Sequence, residues 1–134
     1  MTTQAISHNT SSDHLRRAIL VDLFGWSVVA AVVAAASGPL ASLLAVPSGW
    51  LLAISFAFLA SALTGFWLLE RSAGYSRKLV GWFAALNLDA SVLLWVALLA
   101  GWLPVNGALW WVLAGVADLC LLFGIIQFLA WRKG

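Results

Sequence analysis

The chain has 134 residues, of which 63% are hydrophobic and 9% charged, and its mean hydropathy is +1.00. Soluble domains are about 45–50% apolar and about 25% charged, and a chain this short has too much surface for its volume to hide so many apolar side chains from water. The composition excludes an ordinary soluble domain and predicts that lipid surrounds most of these side chains.

The formal net charge of +2 would suit a nucleic-acid-binding protein, but its distribution does not. The seven basic residues form three clusters beside apolar runs: Arg16–Arg17, Arg71 with Arg77–Lys78, and Arg132–Lys133. Such clusters orient membrane helices and contact lipid headgroups, whereas nucleic-acid binding needs a continuous basic face. We therefore expect membrane lipids as partners and no nucleic acid.

The first segment, residues 1–15, is polar and has no apolar period, which predicts a flexible tail. Both histidines, His8 and His14, lie in it, so the apolar runs contain no histidine that could hold a haem. The single cysteine, Cys120, lies inside an apolar run and is expected to be a packing residue. We expect no metal site and no cofactor.

Four apolar stretches follow, at about 18–37, 50–69, 79–102 and 108–131. Each has the roughly 20 residues that a helix needs to cross about 30 Å of hydrocarbon, and helices satisfy every backbone hydrogen bond in lipid. Pro and Gly separate the first two stretches and the last two. The sequence predicts an all-α, four-transmembrane-helix bundle over residues 16–134. Residues 40–46 either extend the first helix or lie at the interface.

The basic residues also predict the topology, because all seven lie before the first span, between the second and third, or after the fourth. By the positive-inside rule these segments are cytoplasmic. We expect a multi-pass protein of the cell membrane with both termini in the cytoplasm. A cleaved signal peptide over the first span is an alternative, but Asp22 and the length of that apolar run argue against it.

Polar residues inside the predicted spans are the candidate functional residues, because they are costly in a membrane. Asp89 and Asp118 each lie about 10 residues into their spans, about 15 Å deep, where antiparallel helices would bring them to one level. Asn87 lies close to the same depth. The three could form a proton-binding site, or they could form hydrogen bonds that hold helices together. Asp22 is shallower and could pair with a basic residue.

The second span carries a stripe of small residues at every fourth position: Ala53, Ala57, Ser61 and Gly65. Small residues at this spacing let helix backbones approach closely. We expect the stripe to be a helix-packing surface, within the chain or between two copies.

Several features resemble small, uncharacterised four-span integral membrane proteins of bacteria, and the resemblance extends over most of the chain from Arg16 onward. These features are Arg16–Arg17, Asn87, the turn Gly101-Trp-Leu-Pro-Val-Asn-Gly107, and Gln127 before a basic end. The resemblance implies a fold and a bacterial inner membrane but no activity. The small multidrug transporter family is similar in size and helix number. Its marker is a glutamate in the first helix, where this chain has Asp22.

Two functions remain open. The chain has no Gly-rich phosphate loop, HExxH motif or GxSxG motif, so we do not expect an enzyme. The first function is a structural or accessory helix bundle, as a homo-oligomer or within a larger membrane complex. The alternative is a small proton-coupled transporter that uses Asp89 and Asp118.

Overall fold

A computed structural model describes residues 3–71 and 76–133, which are helical apart from short turns. The helices are α1 (Thr3–Ala35), α2 (Ser37–Leu44), α3 (Ser48–Arg71), α4 (Arg77–Leu99) and α5 (Gly107–Lys133). All except the short α2 are long and apolar enough to cross a membrane. The predicted all-α chain with four such helices is confirmed for the described residues.

The N-terminal segment is part of the first helix in the structure. Helix α1 begins at Thr3 and continues without interruption to Ala35, and the flexibility predicted for residues 1–15 stays a prediction. The physical reason is local: the first 24 residues contain neither Gly nor Pro, so nothing in the segment stops a helix that the apolar run sustains. The middle of the loop between α3 and α4, residues 72–75, lies outside the described residues.

The ends of the helices follow from turn and capping residues. Residues 40–46 do not extend α1, because most of them form the separate helix α2, which ends at Leu44 and is followed by Ala45 in the left-handed region (φ 56°). Helix α4 ends at Leu99 instead of 102, since Gly101 turns the chain with a φ of +69°. The side chain of Asn106 then caps α5 by accepting a hydrogen bond from the N–H of Leu109 at 2.7 Å.

Helix α1 lies at the centre of the packing. It packs against α3 on one side and against both α4 and α5 on the other, while α4 and α5 pack closely together as an antiparallel hairpin. Within the described residues, no Cα atom of α3 lies within 8 Å of a Cα atom of α4 or α5. A groove therefore remains between α3 and α4, with α1 beneath it.

One end of the assembly, which we call the basic end, carries the Lys and Arg clusters. A buried apolar cluster joins α1, α3 and α4 there and consists of Leu15, Ile19, Leu69 and Val80, and Ala130 and Trp131 of α5 pack against it. On its surface an exposed ion pair of 2.9 Å links Arg16 of α1 to Glu70 of α3. The basic end is thus the part of the molecule where α3 is tied most directly to the rest.

Candidate functional site

Three polar side chains from three helices meet beside α1 and form what we call the amide–carboxyl cluster. Oδ2 of Asp22 accepts hydrogen bonds from Nε2 of Gln127 at 2.6 Å and from Nδ2 of Asn87 at 2.9 Å. The same Nδ2 of Asn87 donates to Oε1 of Gln127 at 3.0 Å. The cluster therefore links α1 to α4 and α5 through a closed triangle of hydrogen bonds.

Each member of the cluster continues the apolar face of its own helix. Asp22 follows the buried Leu15 and Ile19 at helical spacing on α1, and Gln127 follows the buried Cys120 and Gly124 on α5. Residues three and four apart lie on one face of a helix, so the polar side chains must point inward with their neighbours. Gln127 is 0% exposed and Asp22 is 4% exposed.

One atom of the cluster lacks a hydrogen bond. Oδ1 of Asp22 is buried and has no hydrogen-bond partner among the described residues. The side chain of Trp26, one turn further along α1, faces the same carboxyl. A buried polar atom without a partner is costly, and this one marks Asp22 as the chemically least satisfied group of the cluster.

The structure separates the two predicted site residues of α4. Asn87 turns toward α1 and α5 and belongs to the cluster, whereas Asp89 is exposed on the outer surface. Side chains two residues apart on a helix point in directions that differ by about 200°. Asp89 therefore faces outward when Asn87 faces inward. Among the described residues Asp89 has no hydrogen bond or ion pair.

Asp118 is also exposed, and its partner is a tryptophan. Nε1 of Trp95, on α4, donates a hydrogen bond of 3.2 Å to Oδ1 of Asp118. Trp95 in turn packs edge-on against Trp110, with ring centroids 6.0 Å apart. Asp118 is therefore held on the α4 side of the hairpin surface.

The register of the hairpin keeps Asp89 and Asp118 apart. A Cβ atom built on Gly124 would lie 3.2 Å from the backbone nitrogen of Leu88, so these two residues are level. Because α4 and α5 are antiparallel, Asp89, one residue after Leu88, is level with Phe123. Asp118 lies five residues from that level, which separates the two residues by about 7.5 Å along the helix axis. The expectation that they meet at one level is therefore corrected: both lie on the outer surface of the hairpin, one above the other.

The stripe of small residues is mostly exposed in this chain, and its role as a packing surface stays a prediction. Ala53, Ala57 and Ser61 are exposed, whereas a Cβ atom built on Gly65 would contact the side chain of Leu23 on α1. Residues at every fourth position rotate by about 40° per step, so a long stripe winds off a narrow interface. The buried face of α3 has seven-residue spacing instead and consists of Ser55, Ala62 and Leu69.

Asp22 and Gln127 are central to the structure, although neither was among the residues predicted to form the site. One signal could have found them, because Asp22 lies six residues after Arg16 and Gln127 lies five residues before Arg132. Helices that share a basic end bring residues equally far from it to one depth. Matching polar residues by this distance identifies the pair.

The surroundings of the cluster show where a ligand or metal could bind. Among the described residues no three His, Cys, Asp or Glu side chains lie together as a metal site would require. A cavity of about 340 Å³ lies in the groove between α3 and α4, and both Asp22 and Asn87 line it. Comparisons of the chain with protein-family models, curated proteins and solved structures give no match. The function proposed below is therefore inferred from the geometry of the amide–carboxyl cluster and of the exposed Asp89 and Asp118.

Proposed function

We propose that the chain is an integral membrane protein that crosses the membrane four times and acts as an accessory helix bundle, without catalytic activity. Four helices have the required length and apolar character. The Lys and Arg clusters of the described residues lie at one end of these helices, which favours a cytoplasmic location for that end and for both termini. The resemblance to four-span bacterial proteins favours the bacterial inner membrane.

The amide–carboxyl cluster supports a structural role for the interior. A carboxyl and two amides in hydrocarbon are stabilised by bonding to one another, and these three bond across α1, α4 and α5. Hydrogen bonds are directional, so the cluster selects one rotation of α1 against the hairpin where apolar packing would permit several. The interior is then a fixed scaffold with an outer surface to present.

The observation that carries the accessory role is the exposed position of Asp89. It lies at the middle of α4, about 18 Å from the first residue of that helix, and has no hydrogen bond among the described residues. A carboxyl group at the centre of a membrane helix costs about 2.5–3.5 kcal/mol, and such groups normally face protein or water. An Asp on this surface is stable only if something polar covers it.

The chemistry of the group that covers Asp89 can be inferred from the residues around it. All Lys, Arg and His residues of the chain lie outside its predicted spans, so the chain supplies no basic side chain to Asp89. Asp118 presents a second carboxyl about 7.5 Å along the same surface, with one hydrogen bond from Trp95. The partner we propose is a membrane helix with a basic or hydrogen-bond-donating side chain at mid-membrane depth.

The size of the complex in mild detergent tests this role. The full chain is expressed in the organism that makes it, extracted from its membranes and sized by native electrophoresis. We expect a species larger than the single chain, and we expect it to be lost when Asp89→Leu and Asp118→Leu are combined. Leu63→Ala and Phe56→Ala, at exposed positions of α3, are the matched control because they lie away from the hairpin surface and leave both carboxyls in place.

The outcomes separate the possibilities. Co-extraction of two differently tagged copies would identify the partner as a second copy, and its absence would point to another protein. A wild-type chain that runs as a single copy, or a complex that survives the double leucine variant, contradicts the proposal. Expression and helix content, measured on the same samples by circular dichroism, show that the variants fold.

The orientation needs its own test. The only cysteine, Cys120, is buried and can be replaced by serine, after which single cysteines are placed at Asn106 and at Arg77. We expect a membrane-impermeant maleimide added to intact cells to label position 106 and to spare position 77. The reverse pattern would contradict a cytoplasmic location for the termini.

A proton-coupled transporter that uses Asp89 and Asp118 is the alternative. The separation of about 7.5 Å between these residues along the helix axis does not favour a shared proton site. A transporter would show pH-dependent uptake in liposomes that Asp89→Asn abolishes. An accessory bundle would tolerate that substitution, since the amide keeps the hydrogen-bonding capacity.

A further inference from the structure

A second cavity lies at the basic end, between α1 and α5. Its volume is about 270 Å³, and none of the three residues of the amide–carboxyl cluster lines it. Three exposed side chains that carry or can carry a positive charge meet there: His14 and Arg17 of α1, and Lys133 of α5. None of the described residues that line this cavity is acidic. The cavity therefore attracts anions.

The lining residues of each helix share one face. Those of α1 are His14, Arg17 and Ala18, and those of α5 are Ile126, Leu129, Ala130 and Lys133. In both sets the spacing is three or four residues, which places the side chains above one another along a helix. Since α1 and α5 pack together, the basic and apolar side chains of the two faces enclose one space.

The two neighbouring arginines of α1 serve different contacts. Consecutive side chains on a helix point in directions that differ by about 100°. Arg16 forms the ion pair of 2.9 Å with Glu70 on α3, whereas Arg17 lines the cavity beside α5. Among the described residues Arg17 and Lys133 form no hydrogen bond or ion pair. Both charges are therefore available to a ligand.

The cavity changes from charged to apolar along the helix axis. Helix α1 leads away from the basic end and α5 returns to it, so Lys133 and His14 lie on the outer side. Ile126 lies seven residues before Lys133, which is about 10 Å deeper, and Leu129 between them is 48% exposed. Arg17 directly precedes the first predicted span. The charged side of the cavity is therefore at the level expected for lipid headgroups.

We propose that this cavity is a binding site for an anionic phospholipid. The lipid phosphate accepts hydrogen bonds from the guanidinium of Arg17 and the ammonium of Lys133, and such charge-assisted bonds are the stronger kind. The imidazole of His14 adds a third donor, because it has an N–H in both of its charge states. One acyl chain lies along Leu129 and Ile126 toward the middle of the membrane.

The apolar side of the cavity favours a lipid over other anions. A free phosphate ion would use only the charged side. An acidic protein segment would have to place its backbone against Ile126, at a depth where unpaired backbone groups are costly. A zwitterionic lipid also has a phosphate, but its cationic group would lie among three basic side chains. We therefore expect phosphatidylglycerol to bind more tightly than phosphatidylcholine.

Native mass spectrometry of the full chain in mild detergent tests this preference. The chain is extracted from membranes and titrated with phosphatidylglycerol or phosphatidylcholine of the same acyl chains, and dissociation constants are obtained from the lipid-bound masses. We expect the first phosphatidylglycerol to bind about tenfold or more tightly than the first phosphatidylcholine, and we expect excess inorganic phosphate not to displace it. Equal affinities for the two lipids, or displacement by inorganic phosphate, would overturn the proposal.

Two double variants that remove the same charge locate the site. Arg17→Gln with Lys133→Gln should weaken phosphatidylglycerol binding about tenfold or more, and both residues are exposed, so the helices should still fold. Arg71→Gln with Arg132→Gln is the matched control at the basic end, because neither residue lines the cavity and Arg71 lies over the ring of Trp67 on α3. It should change the affinity by less than about threefold.

Equal weakening by the two double variants would show that only the net charge of the basic end matters, and the proposal would be wrong. This inference rests on the proposed membrane location but not on the accessory role. A chain that leaves the membrane fraction without detergent contradicts the location itself. A chain that needs detergent but binds both lipids equally contradicts only the lipid site. A chain that prefers phosphatidylglycerol but forms no complex contradicts only the accessory role.

Discussion

Gln127 and Asp22 are 105 residues apart in the sequence, yet Nε2 of Gln127 donates a hydrogen bond of 2.6 Å to Oδ2 of Asp22. We expect the pair to show a coupling free energy of about 0.6–1.7 kcal/mol, the range measured for hydrogen bonds between membrane helices. The measurement is a double-mutant cycle with Asp22→Ala and Gln127→Ala, using reversible unfolding in mixed micelles.

A second cycle provides the control for that coupling. Asp118 lies nine residues from Gln127 on α5 and takes its hydrogen bond from Trp95. The cycle of Asp118→Ala with Gln127→Ala should give a coupling below about 0.5 kcal/mol, as for independent sites. Equal coupling in the two cycles would show that Asp22 and Gln127 have no special contact.

The hairpin depends on a close approach at Gly124. A Cβ atom at this position would lie 2.8 Å from the side chain of Leu88 and 3.2 Å from its backbone nitrogen, which cannot move independently. We therefore expect Gly124→Ala to lower the free energy of unfolding by about 1–3 kcal/mol. Gly115→Ala, on the same helix, meets nothing within 4 Å and should be neutral or raise stability by up to about 1 kcal/mol. Equal effects of the two substitutions would contradict this packing.

The packing face of α3 can be tested with one substitution at two positions. Ala62 is 5% exposed, whereas Ala57 belongs to the exposed small-residue stripe. Ala62→Leu should lower the thermal midpoint because the larger side chain is forced between α3 and α1, at a cost of about 1–3 kcal/mol. Ala57→Leu should leave the midpoint of the isolated chain unchanged. The opposite result would restore the four-residue stripe as the interface within the chain.

Ser55 offers a case in which removing a polar group should help. Its hydroxyl is buried and has no hydrogen-bond partner among the described residues. Ser55→Ala removes this unpaired group, and we expect stability to be unchanged or raised by up to about 1 kcal/mol. Ser91→Ala, at another buried serine, is the comparison. A loss above about 1 kcal/mol at position 55 alone would show that the hydroxyl has a partner.

The fold was largely predictable because its strongest signals are long and local. Apolar runs of helical length and the turn residues between them define four helices whichever neighbours they acquire. The end of α4 was misjudged by a few residues, because no polar residue interrupts the chain between Leu99 and Trp102. Only the backbone turn at Gly101 distinguishes them.

The candidate site was less predictable because it depends on how the helices rotate against one another. Asn87 was identified as a site residue. Asp89 was paired with Asp118 only because both were expected at the same membrane depth, and the depth of a residue does not determine which way its side chain points. Asp89 is one residue from Leu88, which packs against Gly124, yet it faces outward. The position of α3 could not be predicted from the sequence either, since nothing in the composition of this helix indicates that it packs mainly against α1.

The central claim is that another membrane helix covers the surface of α4 that carries Asp89. The most direct measurement is the collision rate of lipid-dissolved oxygen with a spin label at Leu93, next to Asp89 on that surface, and at Ile54 on the exposed side of α3 at nearly the same depth, in a chain with Cys120 replaced by serine. In membranes of the organism that makes the protein, we predict fewer oxygen collisions at position 93 than at position 54. In liposomes that contain the chain alone at low density, we predict equal rates. Equal rates in both membranes would contradict the claim.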